Sequence, residues 1–129
     1  MLNVGLVAPI NILNRILKYQ SSLSGFIAIT STSQWTPRLF EPAYTTVKAG
    51  LGMFGNSVSL DLRVGKVLVA APSGMKTDFW RDSSRDMSMM LDPKWVAQKI
   101  IDLYNEDGFD YKFAKILRKP PRVEVIEKR

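Results

Sequence analysis

The segment Phe26-Ile27-Ala28-Ile29-Thr30-Ser31, followed by Tyr44-Thr45-Thr46-Val47-Lys48, decides how this chain is read. The first part is a short apolar run rich in isoleucine, suited to a strand (26–31) buried on both faces within a parallel sheet. The second opens a helical pattern: Val47, Leu51, Phe54, Val58 and Leu62 make one apolar stripe, which predicts a helix from about Pro42 to Leu62. On that helix Tyr44 and Lys48 are four residues apart and lie one above the other on an adjoining face. A free tyrosine titrates near ~10 and is a poor acid–base group at neutral pH. A neighbouring ammonium favours the phenolate, and lowering the value by about 3 units takes about 4 kcal/mol of differential interaction. Ser31 ends the strand-like run 44 − 31 = 13 residues before Tyr44. There its hydroxyl can project toward the helix and bind a substrate oxygen. This layout suits proton transfer to or from a carbonyl or alcohol.

Working outward, residues 3–19 read as a helix with Val4, Val7, Ile10, Leu13 (or Asn14) and Leu17 on its apolar face, kinked or interrupted at Pro9. Residues 66–71 make a second buried strand that Pro72 stops. Residues 32–43 read as an active-site-like loop holding Trp35, Pro37 and Pro42, and residues 73–91 carry Gly74, Trp80, Met87, Met89 and Met90 with no clear period. Asp92-Pro93 starts a further helix, with an acidic N-cap and proline in the first turn. Its apolar face is Trp95, Val96, Ile100 (or Lys99) and Leu103, and Gly108 follows its end. Residues 109–118 are ambiguous, and Val123-Glu124-Val125-Ile126 reads as a final strand. The alternation implies an α/β fold: a partial doubly wound, Rossmann-like parallel sheet of about three strands with flanking helices. It forms one domain over residues 1–129. The strand at 26–31 is expected to have an open edge, an association hazard unless another segment or chain pairs with it.

Composition removes several chemistries. With no histidine and no cysteine in 129 residues, there is no Ser-His-Asp triad, thiolate nucleophile, disulfide or cysteine-ligated metal. Asp and Glu are scattered, so no metal site is expected. Tyrosine, lysine and carboxylates remain for acid–base work. The net charge of +6 gathers toward the end, at Lys112, Lys115, Arg118, Lys119, Arg122, Lys128 and Arg129. No nucleic-acid module accompanies it, and a solvated basic surface or a face for a partner chain is expected. No apolar run approaches the ~20 residues that cross a bilayer, and no basic residue precedes the apolar start, so a cytoplasmic location without a signal peptide is expected.

These residues resemble the short-chain dehydrogenase/reductase family over roughly Asn3 to Tyr104. Ile27-Ala28-Ile29-Thr30-Ser31 is similar to the family's strand ending in the catalytic serine, and Tyr44-x-x-x-Lys48 to its central motif. Asn3, 31 − 3 = 28 residues before Ser31, is similar to its fourth catalytic residue. Val67-Leu68-Val69-Ala70-Ala71-Pro72-Ser73-Gly74-Met75-Lys76-Thr77 looks like its strand and nicotinamide turn, with Ser73 where a glycine is usual.

The resemblance implies an NAD- or NADP-dependent oxidoreductase of a carbonyl or secondary alcohol. Tyr44, Lys48, Ser31 and Asn3 would be catalytic, and Tyr44, Lys48, Pro72, Met75 and Thr77 would contact the cofactor. It covers the family's C-terminal half only. Gly50-Leu51-Gly52-Met53-Phe54-Gly55 matches a dinucleotide fingerprint in letters but lies within the expected helix, with neither the preceding strand nor the helix start that the fingerprint needs. A homo-oligomer or a complementary N-terminal-half chain is therefore expected, with weak cofactor binding by this chain alone. Two other readings stay open: a non-catalytic remnant serving as a dimerisation module, and a basic binding protein.

Overall fold

The computed structural model of the chain describes residues 1–80 and 83–129. Arg81 and Asp82, inside the irregular stretch 73–91, lie outside the described residues. Strand β1 (Phe26–Ile29), helix α1 (Ala8–Tyr19) before it and helix α2 (Pro42–Val58) after it begin the fold. Strand β2 (Val67–Pro72), helix α3 (Pro93–Asn105) and strands β3 (Tyr111–Leu117) and β4 (Arg122–Lys128) complete it. The strands form one sheet in the order β1-β2-β3-β4; the first three are parallel and β4 runs antiparallel to β3.

The sheet is organised around β2, every residue of which is buried. Its side chains alternate between two layers, as strand geometry requires. Val67 and Val69 meet Leu13 and Leu17 of α1 and Leu51 and Val58 of α2 on one face. Leu68 and Ala70 meet Val96, Ile100 and Leu103 of α3 on the other. At β2 the sheet is thus covered on both faces, the doubly wound arrangement expected from the sequence.

Several boundaries moved for physical reasons. The ambiguous stretch 109–118 contains the third parallel strand, and the expected final strand is its antiparallel hairpin partner. The helix expected to reach Leu62 ends at Val58, and Leu62 is fully exposed. Residues 3–7 form a π-helical turn before α1, in which the Ala8 N–H bonds Asn3 O. Pro9 has no N–H and its ring crowds the preceding turn, so the widened turn stands where an interruption was expected. Val4 and Val7 of that turn are exposed rather than core.

β1 is not buried on both faces. Ile27 and Ile29 are 38% and 48% exposed, and β1 is an edge strand of the sheet, as β4 is at the other side. Within the basic C-terminal stretch Lys112 is not solvated. It is fully buried, its ammonium donating to Leu103 O at 2.9 Å and to Glu106. The carbonyls at the end of α3 carry partial negative charge that a cation relieves. Among the described residues no helix is long and apolar enough to cross a membrane.

The glycines of the false fingerprint serve close packing in α2. A Cβ on Gly55 would stand 2.7 Å from Val69 Cγ2, and one on Gly52 would stand 2.3 Å from Gln34 Nε2. Val69 is buried and stiff at χ1. Gly55→Ala is therefore expected to destabilise the fold: overpacking costs ~1–3 kcal/mol, against a helix-propensity gain of about 1 kcal/mol. Urea denaturation reads the result, and an unchanged or higher midpoint would show that the Val69 wall yields.

Candidate active site

β1 ends against a turn that aims its last polar residues. Ser31 is extended (φ −167°, ψ 159°) and caps the 3-10 turn Thr32–Gln34, its Oγ accepting the Ser33 N–H at 3.1 Å. A hydroxyl that accepts one bond keeps its own O–H free to donate. Behind it, the buried Thr30 hydroxyl donates to Gln34 Oε1 at 2.6 Å, tying strand end to turn. Gly52 lets α2 press against Gln34. This contact sets the first turn of α2, and with it Tyr44, beside Ser31.

Ser31 and half-buried Tyr44 both line a cavity of about 530 Å³ at the carboxyl ends of β1 and β2. A smaller cavity of about 210 Å³ adjoins it, again lined by Ser31 and Tyr44 and closed by Pro72, Met75 and Thr77. Five of the residues singled out from sequence thus meet around one space. Ser73 needs no glycine conformation: Lys119 is the only non-glycine with positive φ among the described residues, and the Ser73 N–H bonds Ile116 O at 2.8 Å.

Lys48 stands one turn beyond Tyr44, outside the walls of both cavities. Its ammonium is 5.6 Å from the Tyr44 ring centroid and donates to Ile29 O at 3.4 Å. It therefore links the end of β1 to the tyrosine's helix. Partial burial lowers its pKa below the ordinary 10.5 by penalising the charged form. Asn3 lies in the π-helical turn, whose Gly5 packs on Val47 of α2. Its side chain is exposed and makes no hydrogen bond among the described residues.

Of the rest of the large cavity's wall, the sequence pointed to the loop holding Trp35 and to the stretch holding Trp80, but not to Arg38, Phe40 or Phe79. Trp35, Arg38 and Phe40 come from the loop between Ser31 and Tyr44, and Phe79 and Trp80 from a 3-10 turn after β2. Arg38 donates to Ser33 Oγ at 3.3 Å and to Thr32 Oγ1 at 3.2 Å. One signal was available: an arginine and a glutamate, Arg38 and Glu41, are the only charges in residues 32–43. No cluster of His, Cys, Asp or Glu able to hold a metal occurs among the described residues.

No protein-family model matches the sequence, and no curated protein matches it either. Solved structures do match. A 3-hydroxyacyl-CoA dehydrogenase type-2 from Mycobacterium avium superposes with a TM-score of 0.73 at 15% identity, over 94% of this chain and 55% of that one. A short-chain dehydrogenase/reductase from Vibrio parahaemolyticus superposes with a TM-score of 0.63 at 23% identity, over 92% of this chain and 54% of that one. The chain therefore has the fold of part of a Rossmann-like short-chain dehydrogenase/reductase, and it spans about half the length of these structures.

The lowered Lys48 pKa has a sign that stability can read. Between the lowered folded value and 10.5 the unfolded chain binds more protons, so stability rises with pH through that window. Below it the full burial penalty is present; above 10.5 it is gone. The stability of the parent relative to Lys48→Met is expected to rise as the pH climbs toward 10.5. Thermal denaturation at stepped pH checks this, and a gap independent of pH would contradict it.

Proposed function

We propose that this chain forms the C-terminal, catalytic half of an NAD- or NADP-dependent oxidoreductase of the short-chain dehydrogenase type, acting on a carbonyl or secondary alcohol. The observation that carries the reading is the convergence of Ser31 and Tyr44, from different elements, on one cavity with the Lys48 ammonium at the tyrosine ring. Fold neighbours that are dehydrogenases or reductases support it.

In this reading Tyr44 gives its phenolic proton to the substrate oxygen in reduction and takes it back in oxidation. Ser31 donates its free O–H to the same oxygen and so fixes the carbonyl's orientation. The Lys48 ammonium, 5.6 Å from the Tyr44 ring centroid, places positive charge beside the oxygen on which charge develops during the transfer. Asn3 holds a water next to Lys48. Hydride chemistry is what the nicotinamide supplies when bound.

The residues present fit one end of that cofactor. Pro72, Met75 and Thr77 close the small cavity beside Ser31 and Tyr44, a suitable berth for a flat ring. The pyrophosphate end finds no match among the described residues, because Gly50–Gly55 is helix interior with its backbone N–H groups already bonded. The free edge of β1, with Ile27 and Ile29 exposed beside it, suits pairing with further polypeptide of the nucleotide-binding half. Exposed apolar residues of the helices beginning near Asn3 and Pro42, Val4, Ile12 and Met53 among them, suit association with a second copy or such a chain.

Assembled with a nucleotide-binding half, Tyr44→Phe is expected to lower turnover by about 10²–10⁴-fold with folding intact. Steady-state loss of nicotinamide absorbance measures it, and near-normal turnover would remove the proton-transfer role. Lys48→Met is expected to raise the apparent pKa that governs activity, so a pH–rate profile of unchanged position would argue against the lysine's part.

The 129-residue chain alone is expected not to bind NAD(H) or NADP(H) at micromolar concentration and to self-associate. Calorimetry and sedimentation test this together. Tight cofactor binding by a monomer would overturn the half-site reading.

A further inference from the structure

The wall of the large cavity opposite Ser31 and Tyr44 combines two chemistries. Trp35, Phe40, Phe79 and Trp80 supply aromatic surface, the Phe79 and Trp80 rings meeting edge to face at 4.8 Å. Phe40 and Phe79 are 91% and 73% exposed, so this surface is presented to whatever enters rather than used in the core. Among the described residues, Arg38, Arg85 and Arg118 stand there against one carboxylate, Glu41. The charged side chains of the described residues lining the cavity therefore sum to 3 − 1 = +2.

The acid is also partly spoken for. Glu41 Oε1 lies 3.7 Å from Arg85 Nη2, and the Arg85 guanidinium stacks over the Trp80 ring at 5.1 Å. Among the described residues Arg38 and Arg118 have no carboxylate within salt-bridge distance. Arg38 spends two of its five N–H donors on the Thr32 and Ser33 hydroxyls, which hold its plane in place. Its remaining donors keep the forked geometry that pairs with a carboxylate or phosphate.

From this pairing we propose that the cavity takes a carbonyl compound with an aromatic or similarly flat apolar body and an anionic group. The carbonyl lies at Ser31 and Tyr44, the body against Trp80 and Phe40, and the anion at Arg38 and Arg118. This deepens the oxidoreductase reading and rests on it for the carbonyl's fate, but not for binding. A volume of about 530 Å³ accommodates a ligand of two or three rings. An aromatic wall without the arginines would suit neutral ligands, and arginines without the wall would suit small anions; their combination selects for both features at once.

The test is a binding titration of the chain by calorimetry with para-benzoylbenzoate and its neutral, nearly isosteric amide, para-benzoylbenzamide. The carboxylate is expected to bind at least about tenfold tighter, the scale of one charge-assisted hydrogen bond. Arg38→Gln with Arg118→Gln is expected to abolish that preference, carboxylate affinity falling at least about tenfold further than amide affinity, with circular dichroism confirming the fold. Arg15→Gln, on α1 away from this cavity, is expected to keep the preference. Equal affinity for acid and amide overturns the proposal. So does a preference that survives the double variant, or one that Arg15→Gln removes equally, since the +6 net charge would then explain it.

Turnover separates this inference from the one beneath it. If the assembled enzyme reduces both ketones with the same KM, the oxidoreductase reading stands and this proposal falls. If the anion preference is present but neither ketone is reduced, the cavity's selectivity stands and the oxidoreductase reading falls.

Discussion

The close approach of α2 to the sheet is the constraint on which the rest depends. Gly55 lets the helix backbone lie against Val69 of the central strand, and Gly52 lets it lie against Gln34 of the turn after β1. A side chain at either position would hold the helix off the sheet. Tyr44 sits on the first turns of that helix and Ser31 at the start of that turn, so their proximity follows from two missing methyl groups. The Lys48 bond to Ile29 O ties the same helix to the end of β1 a second time. Gly52 and Gly55 thus act on the site's geometry although neither lines the cavity.

The opposite layer is secured differently. α3 starts at the Asp92 cap, whose carboxylate accepts the Lys94 N–H at 3.1 Å, and ends over two lysines from the sheet side. Lys66 donates to Tyr104 O and Lys112 to Leu103 O, with the Phe109 ring within 5.1 Å and 4.1 Å of their ammonium groups. Lys66 is partly buried and Lys112 fully, and a buried cation is costly unless fully partnered. Here helix-end carbonyls, a carboxylate and an aromatic face supply the partners, and the reward is a fixed end for the helix that covers Leu68 and Ala70. The mouth of the cavity lies at the other, carboxyl end of the parallel strands. Ligands of open α/β sheets bind at that end because the connecting loops converge there.

Much of this was legible in the chain because the signals are local. An isoleucine-rich run, a 3.6-residue stripe, an Asp-Pro cap and a valine-alanine run stopped by proline each depend on near neighbours only. The order Asn3, Ser31, Tyr44, Lys48, Pro72–Thr77 is likewise a one-dimensional fact, and five of those residues do meet around adjoining cavities. The stretch 109–118 defeated local reading. Its cations Lys112, Lys115 and Arg118 recur every third residue, which is not the period of a strand, and only pairing with β2 reveals that it is a strand and that Lys112 faces inward.

By itself, then, the sequence determined the α/β alternation, the helix starts, and the hydroxyl, phenol and ammonium groups available for chemistry, since periodicity and residue type are written residue by residue. Tertiary structure decided the rest. It made β1 an edge with exposed isoleucines, turned Val123–Ile126 antiparallel, and buried Lys112. It gathered Arg38, Phe40, Trp80 and Arg118 into one wall. Those outcomes depend on which distant segments lie side by side, and a residue's own neighbours in the chain carry no record of that.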